Sequence, residues 1–172
     1  VANFLTTLTE RRQTLSTCES LTAGRLASLI AAQPGASELF VGGFVTYSSE
    51  LKTQLAGVPA QLIDDHGAVS PECAEAMAVG TREKLGTDWA LALTGVAGPA
   101  LQEDNPVGVV WLGIAGPEGS KSIRVLPEGH TRWALRPGAT EPEEVVDGDR
   151  VEICQHSANF AIETLENILA GN

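Results

Sequence analysis

Trp89-Ala-Leu-Ala-Leu-Thr-Gly-Val-Ala-Gly-Pro99 begins with five apolar residues and ends in a run of small ones. A strand that is apolar at every position is buried on both faces, as in a sheet with helices on each side, whereas a half-solvated antiparallel strand alternates. The flanking residues fit that frame. Upstream, Pro71 suits the first turn of a helix running to about Leu85, and Gly86-Thr87-Asp88 ends it before the strand starts. Downstream, residues 107–115 and 120–126 surround Gly116-Pro-Glu-Gly119 and read as a hairpin. Nearer the N-terminus, Phe4, Leu5 and Leu8 give residues 2–11 a helical stripe, and residues 14–18 are β-prone. Leu26, Leu29 and Ile30 then mark a helix over 21–32 that Gln33-Pro34-Gly35 stops. Residues 40–47 form a further strand, and 48–55 resume helical spacing until Gly57-Val58-Pro59. A last helix spans about 150–169, where Asp149 and Glu152 have the spacing of a capping box. Helices alternating with strands, finished by an antiparallel pair, predict an α/β fold: a three-layer α/β/α sandwich with a mixed, mostly parallel sheet and a C-terminal antiparallel hairpin, forming one domain over 1–172. Residues 130–146, with Trp133, two prolines and three glutamates, fit none of these elements and are expected as an inserted surface loop.

Composition narrows the function. The 172 residues carry 11 Lys+Arg against 22 Asp+Glu, a formal charge of −11. Folded, a chain of this size exposes about 8,000 Å² against roughly 26,000 Å² unfolded, so a sizeable core needs no staples. Neutralising nucleic-acid phosphates or an anionic membrane requires a basic surplus, and this chain has the reverse. With 43% hydrophobic and 19% charged residues it reads as globular, with the acid surplus aiding solubility. Three scattered cysteines, Cys18, Cys73 and Cys154, read as buried thiols in a reducing compartment. No apolar run approaches the roughly 18 residues of a membrane span, and the N-terminus shows no leader pattern, so a cytoplasmic location is expected.

In open α/β sheets, ligands sit beyond the carboxyl ends of the parallel strands. Three unusual segments fall there. Cys18-Glu-Ser-Leu-Thr-Ala-Gly24 puts hydroxyls and a glycine at a helix entry, where a nucleophile and amide donors can meet; Ser20 and Thr22 are equally good helix caps. Tyr47-Ser-Ser-Glu-Leu-Lys52 brings the only tyrosine to a strand end, with one of three lysines five residues later. At the ordinary lysine pKa only about one in 2,500 is neutral at pH 7, so a basic Lys52 needs desolvation. Phe44, Val45 and Leu51 are candidates for the apolar wall, a nearby Glu50 would oppose it, and an exposed helix lysine is the plain alternative. Thr94-Gly-Val-Ala-Gly-Pro99 lets backbone approach a ligand closely, or is a simple tight turn; it is neither a dinucleotide fingerprint nor a P-loop. His66-Gly-Ala-Val-Ser70 and Pro106-Val-Gly108 read as structural. His66, His130 and His156 have no metal-ligand spacing.

Taken in order, ESLTAG, GGFVTYSSELK, LAGVP, HGAVS, LALTGVAGP, NPVG and DGDR resemble the CinA C-terminal domain family, to which nicotinamide mononucleotide deamidases belong, over roughly residues 5–128 and 147–170. The resemblance implies a serine/lysine amidohydrolase that converts nicotinamide mononucleotide to nicotinate mononucleotide and ammonia in pyridine-nucleotide recycling, without metal or cofactor, as a homodimer. By motif it implies that Ser20 is the nucleophile, Lys52 its base and Tyr47 the group that orients or relays the proton. The oxyanion would lie against amides from Thr22 to Gly24, and the phosphate against Thr94, Gly95, Ala97 and Gly98, Ser48 or Ser49, and Arg150. Where the family commonly reads Glu-Ser-Cys-Thr-Gly-Gly, this sequence has Leu21 and Ala23. Residues 100–105 also lack a glycine run common there, and the family's frequent N-terminal partner domain is not among these residues. A catalytically silent domain binding a nucleotide or a partner protein in the same pocket is the alternative.

Overall fold

The computed structural model describes residues 3–171. Along the chain run α1 (Asn3–Arg11), β1 (Leu15–Glu19), α2 (Arg25–Ala31), β2 (Phe40–Val45), α3 (Ser49–Gln54), α4 (Ala60–His66) and α5 (Pro71–Leu85). There follow β3 (Trp89–Gly95), β4 (Val110–Gly116), β5 (Gly119–Arg124), β6 (Thr131–Ala134), β7 (Glu143–Val146) and α6 (Arg150–Leu169). The apolar run at 89–95 is the middle strand of a five-stranded sheet ordered β2-β1-β3-β4-β5. β1 pairs in parallel with both β2 and β3, and β4 is antiparallel to both of its neighbours. Four strands therefore point one way and β4 alone opposes them, although the four pairings divide evenly between parallel and antiparallel.

Strand parity sends alternate residues to opposite faces. Leu91 and Leu93 of β3, with Val110, Leu112 and Ile114 of β4, join Phe4, Leu8, Leu26, Ile30, Ile153 and Leu165 from α1, α2 and α6. Cys18 of β1 and Ala92 of β3 face the other way, toward Cys73, Met77 and Ala78 of α5. Each fully buried leucine or phenylalanine contributes about 1.5–3 kcal/mol relative to exposure, against about 1 kcal/mol for a helix cap, so burial on two faces holds the three layers together. The caps set the boundaries. Ser70 Oγ accepts from the Cys73 amide with Pro71 following, and Gly86 ends α5 in the left-handed conformation. Asp149 and Glu152 form the expected capping box at α6. All three cysteines are free and buried, and among the described residues no helix is long and apolar enough to cross a membrane.

On the α5 side β4 carries Gly113, where a Cβ would lie 1.9 Å from the Ala74 carbonyl oxygen. Helix backbone cannot retreat from that contact without lifting α5 off the sheet. Gly113→Ala is therefore expected to destabilise the domain by about 3 kcal/mol or to prevent folding, as urea unfolding would measure.

Three segments differ from the sequence-based reading. α2 begins at Arg25, not Leu21, because residues 20–24 form a turn. α4 is additional. Residues 130–146 are not an irregular loop, because β6 and β7 pair as a second antiparallel sheet. Val145 and Val146, both fully buried, anchor β7 in the core, and polar bonds flank them: Arg124 and Arg136 donate to Glu143 at 2.8 and 2.9 Å, and Thr131 Oγ1 donates to Glu144 at 2.6 Å. Partial burial opposes ionisation of Glu143, but the two guanidiniums outweigh it and hold its carboxyl below the ordinary range. The Val146 amide donates to the Gly108 carbonyl at 2.9 Å, and His130 stacks on His156 of α6.

Candidate active site

Pairing with β2 on one side and β3 on the other fixes the residues at the end of β1. The Glu19 carboxylate accepts from the Leu26 and Ala27 amides at 2.8 and 3.0 Å, capping α2, whose own N-cap residue Gly24 has no side chain to do so. Ser20 extends the strand by one bond, its amide donating to the Leu93 carbonyl at 2.9 Å, and its own carbonyl accepts from Ala23 at 3.1 Å to close a turn. Ala23 sits at φ 47° and Gly24 at φ 98°. Ala23 thus adopts the left-handed conformation that suits the glycine of the family pattern, at a cost of about 1–2 kcal/mol.

Lys52 reaches Ser20 from α3. Ser48 Oγ caps that helix by accepting from the Leu51 amide at 3.2 Å. The Lys52 side chain is only 2% exposed, and its Nζ lies 2.9 Å from Ser20 Oγ and donates to the Thr46 carbonyl at 2.8 Å. Burial lowers its pKa below the ordinary lysine value; the thiols of Cys73 and Cys18 and the Glu103 carboxylate pull the other way. Desolvation itself pushes the Cys73 thiol up to about 12 and raises Cys18, so neither is ionised at neutral pH. Of the three expected wall residues, only Phe44 lies with the thiols that neighbour Lys52. Phe44 joins the apolar cluster around Cys18 and Cys73, Val45 is exposed, and Leu51 is outside that cluster. Glu50 is exposed and accepts from Gln54 instead of opposing the lysine's deprotonation.

Ser20, Lys52, Tyr47 and Arg150 line a cavity of about 100 Å³ whose opposite wall is the 94–98 turn. Arg150 spans its mouth, donating to the Tyr47 hydroxyl and to the Gly98 carbonyl. The turn is less free than its composition suggests. Thr94 Oγ1 donates to the Ala68 carbonyl at 2.6 Å, and the Val96 amide donates to Val109 at 2.9 Å. The amides of Leu21, Ala97 and Gly98 have no acceptor among the described residues.

The structure thus gathers Ser20, Lys52, Tyr47, Thr94, Gly95, Ala97, Gly98 and Arg150 around one space. It does not bring in the rest. Thr22 and Gly24 lie on a neighbouring groove, and Ser48 is an exposed helix cap. Glu19 occupies the Leu26 and Ala27 amides at the start of α2, and of the expected donors at residues 22–24 the Ala23 amide is taken by the Ser20 carbonyl. Sequence reasoning missed Ala68 and Val69, which line the cavity from the HGAVS segment, and the wall made by Ala100 and Gln102. That wall is held by the Glu103 carboxylate, which accepts from the Ala68 and Val69 amides at 3.0 and 3.1 Å. Only the unusual acidic loop 100–105 hinted at it.

These features define an α/β domain with a buried serine–lysine pair beyond the carboxyl end of its parallel strands. The chain belongs to the CinA C-terminal domain family, whose model matches residues 1–142. It is 45% identical to a CinA-like protein of Synechocystis over 126 residues, which is 73% of this chain and 30% of that protein. A CinA-like protein of Frankia casuarinae is 40% identical over 166 residues, 95% of this chain and 34% of that protein. The chain therefore spans about a third of the length of these relatives. Its fold matches the crystal structure of a competence-damaged protein (CinA) superfamily protein from Klebsiella pneumoniae with a TM-score of 0.84 at 29% identity, covering 99% of this chain and 96% of the other.

Proposed function

We propose that this domain hydrolyses the carboxamide of nicotinamide mononucleotide, giving nicotinate mononucleotide and ammonia in pyridine-nucleotide recycling. The observation that carries the reading is the 2.9 Å approach of Lys52 Nζ to Ser20 Oγ inside a desolvated site. With Lys52 neutral, one N–H donates to Thr46 and the lone pair accepts the Ser20 hydroxyl proton. Ser20 Oγ then attacks the amide carbon as its proton passes to Nζ. The oxyanion is met by the Leu21 amide, next to the nucleophile, and by Ala97 or Gly98 across the cavity; each well-placed donor contributes about 3–4 kcal/mol. Lys52 returns the proton to the leaving nitrogen, ammonia departs, and an acyl-serine remains. Water attacks that ester with Lys52 again as base, releasing the carboxylate and restoring the Ser20 hydroxyl. Tyr47, whose hydroxyl accepts from Arg150 and has no bond to Ser20 or Lys52, takes no part in the proton transfer and instead holds Arg150 at the mouth, where the cation faces the anionic substrate.

The test is ammonia release from nicotinamide mononucleotide by the wild-type chain across a range of pH. Turnover supports the reading. Silence at every pH with nucleotide binding retained would overturn it in favour of a binding domain.

A further inference from the structure

The cavity at Ser20, about 100 Å³, is well short of the roughly 300–1,000 Å³ of sites that enclose a small molecule. It admits a carboxamide and part of its ring, so the remainder of a nucleotide must lie outside. A groove of about 600 Å³ adjoins the cavity and shares Leu21, Tyr47 and Arg150 with it. Arg25 and Thr22 are among the residues that line it.

Three observations bear on what this groove would accept. Arg25 and Arg150 both line it, and neither forms an ion pair with a carboxylate among the described residues. Thr22 is 3% exposed, and its Oγ1 has no hydrogen-bond partner. The acidic residues that flank the groove in sequence are engaged by backbone amides: Glu19 by Leu26 and Ala27, Asp149 by Val151 and Glu152, and Glu152 by Asp149. Two guanidiniums facing one cleft with the nearby acids occupied are suited to a phosphate, which Arg binds through paired N–H groups. The 94–98 turn has the reverse character, since its Gly98 carbonyl faces Arg150.

We propose that Arg25 is a substrate-binding residue that holds the phosphate of a phosphorylated ribosyl substrate in this groove, across Tyr47 and Arg150 from Ser20. The assignment rests on the amidase reading for the identity of the substrate, but its test does not. Binding of ribose 5-phosphate, with ribose as the control lacking phosphate, is measured by calorimetry for the wild type and for Arg25→Gln and Arg25→Lys. Loss of one guanidinium contact is expected to weaken ribose 5-phosphate by about ten-fold or more in Arg25→Gln, with a smaller loss in Arg25→Lys. In turnover, KM for the nucleotide is expected to rise about ten-fold more than KM for nicotinamide riboside, with kcat held. Equal ribose 5-phosphate affinity in the wild type and Arg25→Gln, or no preference over ribose in the wild type, overturns the proposal. If Arg25→Gln does not fold, Arg25→Lys and the salt dependence of wild-type binding decide it, and affinity unmoved by both overturns it. Phosphate-dependent binding without ammonia release would sink the amidase reading alone.

Discussion

Replacing Ser20 with alanine is expected to lower ammonia release from nicotinamide mononucleotide by about 10³-fold or more, with nucleotide binding retained. The substitution removes the attacking oxygen and little else. The Ser20 backbone remains tied to Leu93 and Ala23, and Lys52 keeps its bond to the Thr46 carbonyl. The loss should therefore fall on kcat and not on KM. Activity within about ten-fold of the wild type would mean that water attacks the amide directly, and Ser20 would lose its role as nucleophile.

Lys52→Met carries the second large effect, with two readouts that separate a base from a structural cation. Methionine fills similar space without a proton-accepting nitrogen, so activity should fall by about 10³-fold. Lys52→Arg should be nearly as inactive, because a guanidinium does not deprotonate, and retained activity in that variant would show that charge alone suffices. In the wild type, activity should rise with pH as Lys52 loses its proton, with a midpoint below the ordinary value of 10.5. Stability carries the same signature. Because burial lowers the folded-state pKa, the unfolded chain takes up this proton first as pH falls from about 10.5, so the wild type loses stability down to the folded value and stays at that reduced level below it. Lys52→Met lacks this dependence. The variant's stability relative to the wild type should therefore be greatest at neutral pH and decline toward alkaline pH, as parallel urea titrations would show; a constant difference would mean that Lys52 is not perturbed.

The sequence was most legible where local chemistry alone sets the structure. Ser70 with Pro71, Gly86, and Asp149 with Glu152 gave α5 and α6 their full extents. β3 announced itself because a strand covered on both faces needs apolar residues throughout. The start of α2 was not legible, since Leu21 and Leu26 look continuous with its stripe. What breaks the helix there is tertiary, the bond from Ser20 to Leu93 on a strand distant in sequence. β6 and β7 were obscured because they are only four residues long and the two buried valines of β7 are adjacent, so neither strand shows an apolar alternation. At the site, Ser20, Tyr47 and Lys52 line one cavity, a grouping that placement after strand ends allowed and the motif resemblance implied. Hydroxyls gave the poorest guidance: Ser48 caps a helix and Thr94 bonds the Ala68 carbonyl. Main-chain partners such as the Thr46 carbonyl leave no trace in a sequence.

Glu19 and Ser20 are adjacent letters with separate duties, one anchoring α2 and the other meeting Lys52. What keeps them apart is only the two-residue alternation of β1, a strand hydrogen-bonded along both edges. Inserting or deleting a single residue in β1 would exchange their directions, leaving a carboxylate facing the lysine and a helix start without its acceptor. A change of length is therefore expected to be tolerated only outside that strand, in exposed segments such as 135–142. The history of the site should be written in substitutions at its core and in changes of loop length at its rim.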